Sequence, residues 1–219
     1  MATIPTITAF ESSPDRGRGF ARDMLVRWAL EEVGQPYEVR LLSFKQLKEP
    51  AHLAIHPFGK IPTFETAEFT IFETGAIIFH IAETYPGLFP KDAVGRMRAI
   101  TWMFSTLSTI EPAILELEVP RLIEREKSWY NERLPLVVQR VRSRINELSN
   151  RLGKSEWLED SFSAGDLIMV SALRRLGSTP ILAEFSNLAA YVERGMARLA
   201  FQCAFAAQLA IFSNQKDSK

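Results

Sequence analysis

At 219 residues, 47% hydrophobic and 24% charged, the chain has the balance of an ordinary globular protein and is neither disordered nor fibrous. Lys and Arg together number 26, as do Asp and Glu, so no basic excess exists to neutralise phosphates and no nucleic-acid partner is expected. The single cysteine, Cys203, excludes an internal disulfide and suits a reducing compartment, so a cytoplasmic location is expected. Residues 1–10 carry no secretory pattern, no apolar run approaches the ~18 residues of a bilayer span, and no membrane partner is expected.

Residues 6–10 form the first expected strand, followed by a loop rich in Ser, Pro and Gly over residues 12–19. Phe20, Ala21, Met24, Leu25, Trp28, Ala29 and Val33 then recur at helical spacing, and Gly34 is the expected C-terminal cap. Tyr37, Val39 and Leu41 alternate with Glu38 and Arg40, a strand with one buried face. A strand–helix–strand order of this kind places its two strands parallel through a right-handed crossover. A short irregular or helical piece at residues 49–56 precedes Gly59-Lys60-Ile61-Pro62, and the apolar runs 61–64 and 69–72 are close enough together to form a hairpin. Glu73-Thr74-Gly75 leads into a helix through Ile77, His80, Ile81 and Thr84, which Pro86, Gly87 and Pro90 end.

Beyond residue 91 the pattern is helical throughout. A long amphipathic helix starts at Met97, Ile100, Thr101 and Phe104, with a kink expected at Pro112. Val138, Val141, Ile145, Leu148 and Leu152 define another, ended by Gly153, and further helices start at Ser163 and fill residues 188–212. Ser163 followed by Asp166 is the spacing of a capping box, a folding element without a catalytic role. The expected fold is α/β plus all-α: a thioredoxin-like domain (β-α-β-α-β-β-α) over residues 1–87, then an all-helical domain over residues 92–219.

Several stretches resemble the soluble glutathione transferase superfamily, in order and over nearly the whole chain. His56-Pro57-Phe58-Gly59-Lys60-Ile61-Pro62 is similar to its N-P-x-G-K-V-P segment, with His in place of Asn; Glu73-Thr74-Gly75-Ala76-Ile77 is similar to its E-S-x-A-I segment. Residues 26–32, Ser163-Ala164-Gly165-Asp166 and the stretch from Tyr191 to Phe201 resemble further family segments. The chain resembles a bacterial-type member with a lengthened Arg- and Gly-rich loop, the additional residues falling around Asp15-Arg16-Gly17-Arg18-Gly19.

The resemblance implies a transferase that uses glutathione as co-substrate, acts on a small hydrophobic electrophile in detoxification, and forms a homodimer. It also implies a binding device. A cis bond at Ile61-Pro62, a state open chiefly to X–Pro bonds, turns the Ile61 backbone toward an extended ligand. Thr74 as N-cap, with the first N–H groups of its helix, suits the γ-glutamyl carboxylate; Glu73 suits the ammonium; Lys60 suits the glycyl carboxylate, with Lys45 and Lys48 as further cations. The family activates the thiol from the loop after the first strand, where this chain offers Ser12 and Ser13 and no Tyr or Cys. Ser13 is the expected catalytic residue with Arg18 assisting; Ser12, Arg22 and backbone N–H groups are alternatives. Cys203, in an apolar helical run, is expected to be an inert core residue. His52, His56 and His80 lack metal-ligand spacing, and no metal is expected. Met97, Trp102, Met103 and Phe104 are candidates to line the electrophile site in the helical domain. An isomerase, dehalogenase or peroxide reductase using glutathione, or a binding protein without conjugating activity, are the other readings of the scaffold.

Overall fold

In the computed structural model, residues 4–15 and 17–216 are described, with side chains through Ile211 in the last helix. Arg16, part of the lengthened loop expected from sequence, lies outside the described residues. The chain divides into two compact units, Met1–Phe89 with Ala197–Lys219, and Pro90–Met196.

The first unit is built on a sheet of order β2-β1-β3-β4. Strands β1 (Thr6–Phe10) and β2 (Glu38–Leu42) are parallel, joined by helix α1 (Asp23–Glu32). The short helix α2 (Pro50–Leu53) leads to β3 (Thr63–Glu65), which runs antiparallel to β1, and β4 (Thr70–Phe72) returns antiparallel to β3. The hairpin is shorter than its apolar runs predict, because Ile61-Pro62 forms a cis peptide instead of continuing the strand. At the sheet edge, β2 buries Leu42 and exposes Leu41, so the single buried face predicted for Tyr37, Val39 and Leu41 does not extend to Leu41.

Helix α1 is buried from Asp23 through Leu30. It packs on α3 (Thr74–Thr84) and on α9 (Leu199–Lys216), so apolar side chains such as Met24 and Trp28 are enclosed on more than one side. Full burial of such side chains contributes about 1.5–3 kcal/mol each. Gly34 takes φ 67° past its C-terminus, as the capping pattern predicts.

Helix α9 closes this unit, whereas the sequence pattern runs a second domain on through residue 219. The edge of Phe201 meets the Trp28 ring at 5.0 Å, and Gln208 Nε2 donates to Asp23 Oδ1 at 3.0 Å. Phe201, Ala204 and Gln208 form the buried stripe of α9, which leaves Cys203 exposed rather than in the core.

The second unit contains α4 (Ala93–Ser105), α5 (Glu111–Leu122), α6 (Tyr130–Leu152), α7 (Ala164–Arg174) and α8 (Ser186–Met196). The kink expected at Pro112 is instead a π-helical stretch just ahead of it, Thr106–Ile110. There the Thr106 and Ser108 hydroxyls donate back to the carbonyls of Trp102 and Phe104, both at 2.7 Å. Helix α6 turns Val137, Val141, Ile145, Leu148 and Leu152 into the core at helical spacing. The Ser163–Asp166 capping box forms as expected at the start of α7. No helix among the described residues is long and apolar enough to cross a membrane.

Candidate functional site

Sheet register brings two of the sequence-predicted pairs together. Thr63 lies opposite Phe72 across the β3–β4 hairpin, so Ile61-Pro62, entering β3, sits beside Glu73-Thr74, leaving β4. Thr6 opposite Glu65 and Ile7 opposite Phe64 carry the same end of β3 to the C-terminal end of β1. Thr8 fixes that juncture: its hydroxyl accepts from the Thr63 N–H at 2.7 Å and lies 3.0 Å from Thr63 Oγ1. The loop carrying Ser13 leaves from the end of β1.

Thr74 does not occupy the N-cap position expected for it. It is the first residue of α3, buried, and Glu73 stands at the cap with φ 73° and ψ 117°. Among the described residues no side-chain hydrogen bond caps the helix, so its leading N–H groups are left without a side-chain cap. A non-glycine residue at positive φ is strained unless its surroundings fix it, and Glu73 is the instance among the described residues. Its carboxylate is exposed.

The segment before Ile61 is clamped from below. His52, buried on α2, places Nε2 2.8 Å from the Lys60 carbonyl. Lys48 Nζ donates to the Gly59 carbonyl at 3.1 Å, so this lysine serves the backbone, while Lys45 and Lys60 are exposed. Gly59 takes φ 58° where a Cβ would stand 2.6 Å from the Leu47 carbonyl oxygen, so only glycine fits. His56 is buried 4.8 Å from the Phe72 ring, and its Nδ1 has no partner among the described residues. Burial, followed by the neighbouring His52 charge, pushes its pKa down.

Ser13 and Arg18 both turn toward Asp15. The half-buried Ser13 hydroxyl donates to Asp15 Oδ1 at 2.5 Å, and Arg18 Nε donates to the Asp15 carbonyl at 3.0 Å. The exposed Arg18 guanidinium also lies 5.5 Å from the Phe20 ring centre. Asp15 further accepts from the N–H groups of Gly17 (3.0 Å), Phe20 (2.5 Å) and Ala21 (3.1 Å). Burial disfavours its charge, but the Ser13 hydroxyl and these three N–H groups together hold the carboxyl below its ordinary value. Ser12 is exposed, and Arg22 is half-buried directly ahead of α1.

A small pocket beside Ser13 is lined by Phe10, Glu11, Asp23, Gln208 and Ile211. Asp23 is fully buried; Arg27 Nε donates to it at 2.8 Å and Gln208 completes its shell. Burial pushes the Asp23 carboxyl up against the opposing influence of Arg27. Asp15, Asp23 and Gln208 are missed by sequence reasoning; a carboxylate followed by a Gly-rich turn into a helix is the signal available for the first of them.

The four candidates for lining an electrophile site point apart. Met103 is in the core, Met97 and Phe104 are exposed, and Trp102 donates Nε1 to Glu159 at 2.8 Å. Trp102 borders a cleft of about 400 Å³ with Arg98, Thr101, Arg151 and Glu159.

A thioredoxin-like α/β unit with a helical unit is the fold of the glutathione transferases. A glutathione transferase from Burkholderia graminis, solved with two glutathione molecules bound per subunit, matches 93% of this chain and 88% of its own, with a TM-score of 0.79 at 23% identity. Residues 16–83 match the family described as Glutathione S-transferase, N-terminal domain. Glutathione S-transferase 1 of Triticum aestivum is 27% identical over 79% of this chain and 84% of its own. The Glutathione S-transferase-like protein gedE of Aspergillus terreus is 35% identical over 40% of this chain, a match spanning 42% of that protein. The fold over nearly the whole chain is that of the glutathione transferases, and residues 16–83 match the N-terminal domain family of these proteins. Both curated relatives are plant or fungal, where a bacterial-type affinity is expected from the sequence.

Proposed function

We propose that this protein binds glutathione at the sheet end formed by residues 61–62 and 73–74 and conjugates its thiolate to a small apolar electrophile. The carrying observation is the register that sets Ile61-Pro62 beside Glu73-Thr74 at the uncapped start of α3. Glutathione offers two carboxylates, an ammonium and a thiol. Its γ-glutamyl carboxylate suits the Thr74 hydroxyl and the leading N–H groups of α3, where the helix dipole favours an anion. The exposed Glu73 carboxylate accepts the ammonium, the Ile61 main chain pairs with the extended cysteinyl portion, and Lys60 meets the glycyl carboxylate. Ser13 is the group at the sulfur, with Arg18 assisting. The protein acts as a cytoplasmic homodimer.

Retention on immobilised glutathione together with turnover of a generic aryl halide tests this reading. Replacing Glu73 or Thr74 should weaken glutathione binding about tenfold or more, the worth of a hydrogen bond to a charged group. Unchanged affinity in both variants would sink the assignment. A second reading, a glutathione-binding protein without conjugating activity, is favoured by one observation: the Ser13 hydroxyl already donates its hydrogen bond to Asp15. Retention without turnover of any electrophile selects it.

A further inference from the structure

We propose that His52 is a positioning residue: by donating to the Lys60 carbonyl it fixes the peptide plane that carries the Ile61 N–H, and so aims and strengthens that N–H toward the main chain of an extended ligand. The inference rests on the glutathione-binding reading above and concerns how the cysteinyl portion of the ligand is held in line.

A carbonyl oxygen only accepts, so the 2.8 Å contact with the Lys60 carbonyl requires a proton on His52 Nε2. The Lys60 C=O and the Ile61 N–H belong to one planar peptide unit, which is trans because the cis bond lies one step later, at Ile61-Pro62. In a trans unit these two groups point in opposite directions. With the carbonyl held on His52, the Ile61 N–H is directed away from it. The same bond polarises the amide, which makes the Ile61 N–H a better donor.

The surrounding constraints leave His52 in charge of this plane. The Ile61 side chain is 6% exposed and packs with Leu42 and Leu47, and Pro62 sets the peptide that follows. Lys48 Nζ holds the preceding carbonyl, that of Gly59, at 3.1 Å, but that peptide carries the Lys60 N–H. His52 is itself well fixed. It is 5% exposed, its own carbonyl accepts from the Ile55 and His56 N–H groups at 3.0 and 2.8 Å, and its ring stacks on that of His56 with centres 6.0 Å apart. An apolar ring would fill a buried position of this kind. What the imidazole adds is the donor.

The test is calorimetric binding of three probes to the full chain: glutathione, γ-glutamylcysteinamide and γ-glutamylcysteamine. The last differs from the second only in lacking the carboxamide whose carbonyl the Ile61 N–H would meet. His52→Phe keeps a ring and removes the donor. It should weaken the first two probes about tenfold and leave γ-glutamylcysteamine within about twofold, a selectivity that a merely structural role would not produce. Equal weakening of all three, or unchanged affinity for γ-glutamylcysteinamide, overturns the proposal. His52→Gln places an N–H donor at similar reach and should recover affinity to within about threefold of the unaltered protein; a glutamine variant as weak as the phenylalanine one overturns it. If His52→Phe does not fold, the imidazole nitrogen resonances of the unaltered protein decide. A proton on Nε2 in the glutathione complex supports the proposal, and an Nε2 without one overturns it. Failure of the unaltered protein to bind glutathione counts against the binding site itself, separately from these outcomes.

Discussion

Arg198 grips Glu32 through two parallel bonds, Nε to Oε1 at 2.6 Å and Nη2 to Oε2 at 2.7 Å, across 166 positions of sequence. Glu32 also accepts from Trp28 Nε1 at 2.8 Å, so one carboxylate fastens the entrance of α9 to the end of α1. The Glu32 side chain is 8% exposed and that of Arg198 34%, which leaves the pair only partly screened by water. Glu32→Ala should destabilise the protein by about 1–3 kcal/mol, read from the midpoint of urea unfolding. A shift within the scatter of surface substitutions would show that α9 is held by its apolar stripe alone.

Asp166 organises the second unit in a comparable way. Its carboxylate closes the capping box with Ser163 and accepts from the Leu158 N–H and the Tyr191 hydroxyl, each at 2.9 Å, with no exposure to solvent. Asp166→Ala abandons several buried donors and should cost about 3 kcal/mol or more, while Tyr191→Phe removes one bond and should cost about 1 kcal/mol. Thermal unfolding of both variants would check the ranking. Equal losses would mean that the Tyr191 bond carries the junction.

Much of this was legible because local physics and tertiary structure agree. The helix through Trp28, the stop at Gly34 and the Ser163–Asp166 box all follow from periodicity and capping, and the structure keeps them. Cys203 is misplaced by sequence because α9 is apolar on most of its surface, so periodicity does not select the face that Phe201, Ala204 and Gln208 bury. The association of α9 with α1 depends on pairs such as Asp23–Gln208, 185 positions apart, which no local pattern encodes. The positions of Ile61 and Glu73 are legible as motifs, but their adjacency comes from strand register. Asp15 escapes notice because its four donors converge only when the Gly-rich loop folds around it.

The buried imidazole of His56 gives stability a predictable pH dependence. Its pKa in the folded protein is depressed from 6.5, by burial first and then by the His52 charge, with Glu73 opposing and Lys60 adding. The unfolded chain therefore binds more protons as pH falls below 6.5, and stability that is fully present above that value is lost toward the lower folded pKa. His80, depressed by burial, acts with the same sign. His56→Asn should flatten the fall of melting temperature with acidification without abolishing it. An unaltered slope would show that His56 is protonated equally easily in both states.

In the proposed binding site, Glu73 would set stability against binding. Its φ of 73° is a conformation that glycine adopts with less strain, so Glu73→Gly should relieve about 1 kcal/mol at that position. Glycine also adds backbone freedom to the unfolded chain, which opposes the gain by about 0.4–1 kcal/mol, so unfolding should register a change near zero or a small stabilisation. On the proposed binding reading, glutathione affinity should fall about tenfold or more, because the exposed carboxylate offered to the ligand ammonium is gone. Glu73→Ala separates the two effects: it loses the carboxylate while keeping the strained backbone, so it should match the glycine variant in affinity and fall below it in stability. Unchanged affinity in both variants would assign the strained residue at the start of α3 to the fold alone. Full affinity in Glu73→Ala with loss only in Glu73→Gly would place the recognition in the backbone geometry instead of the side chain.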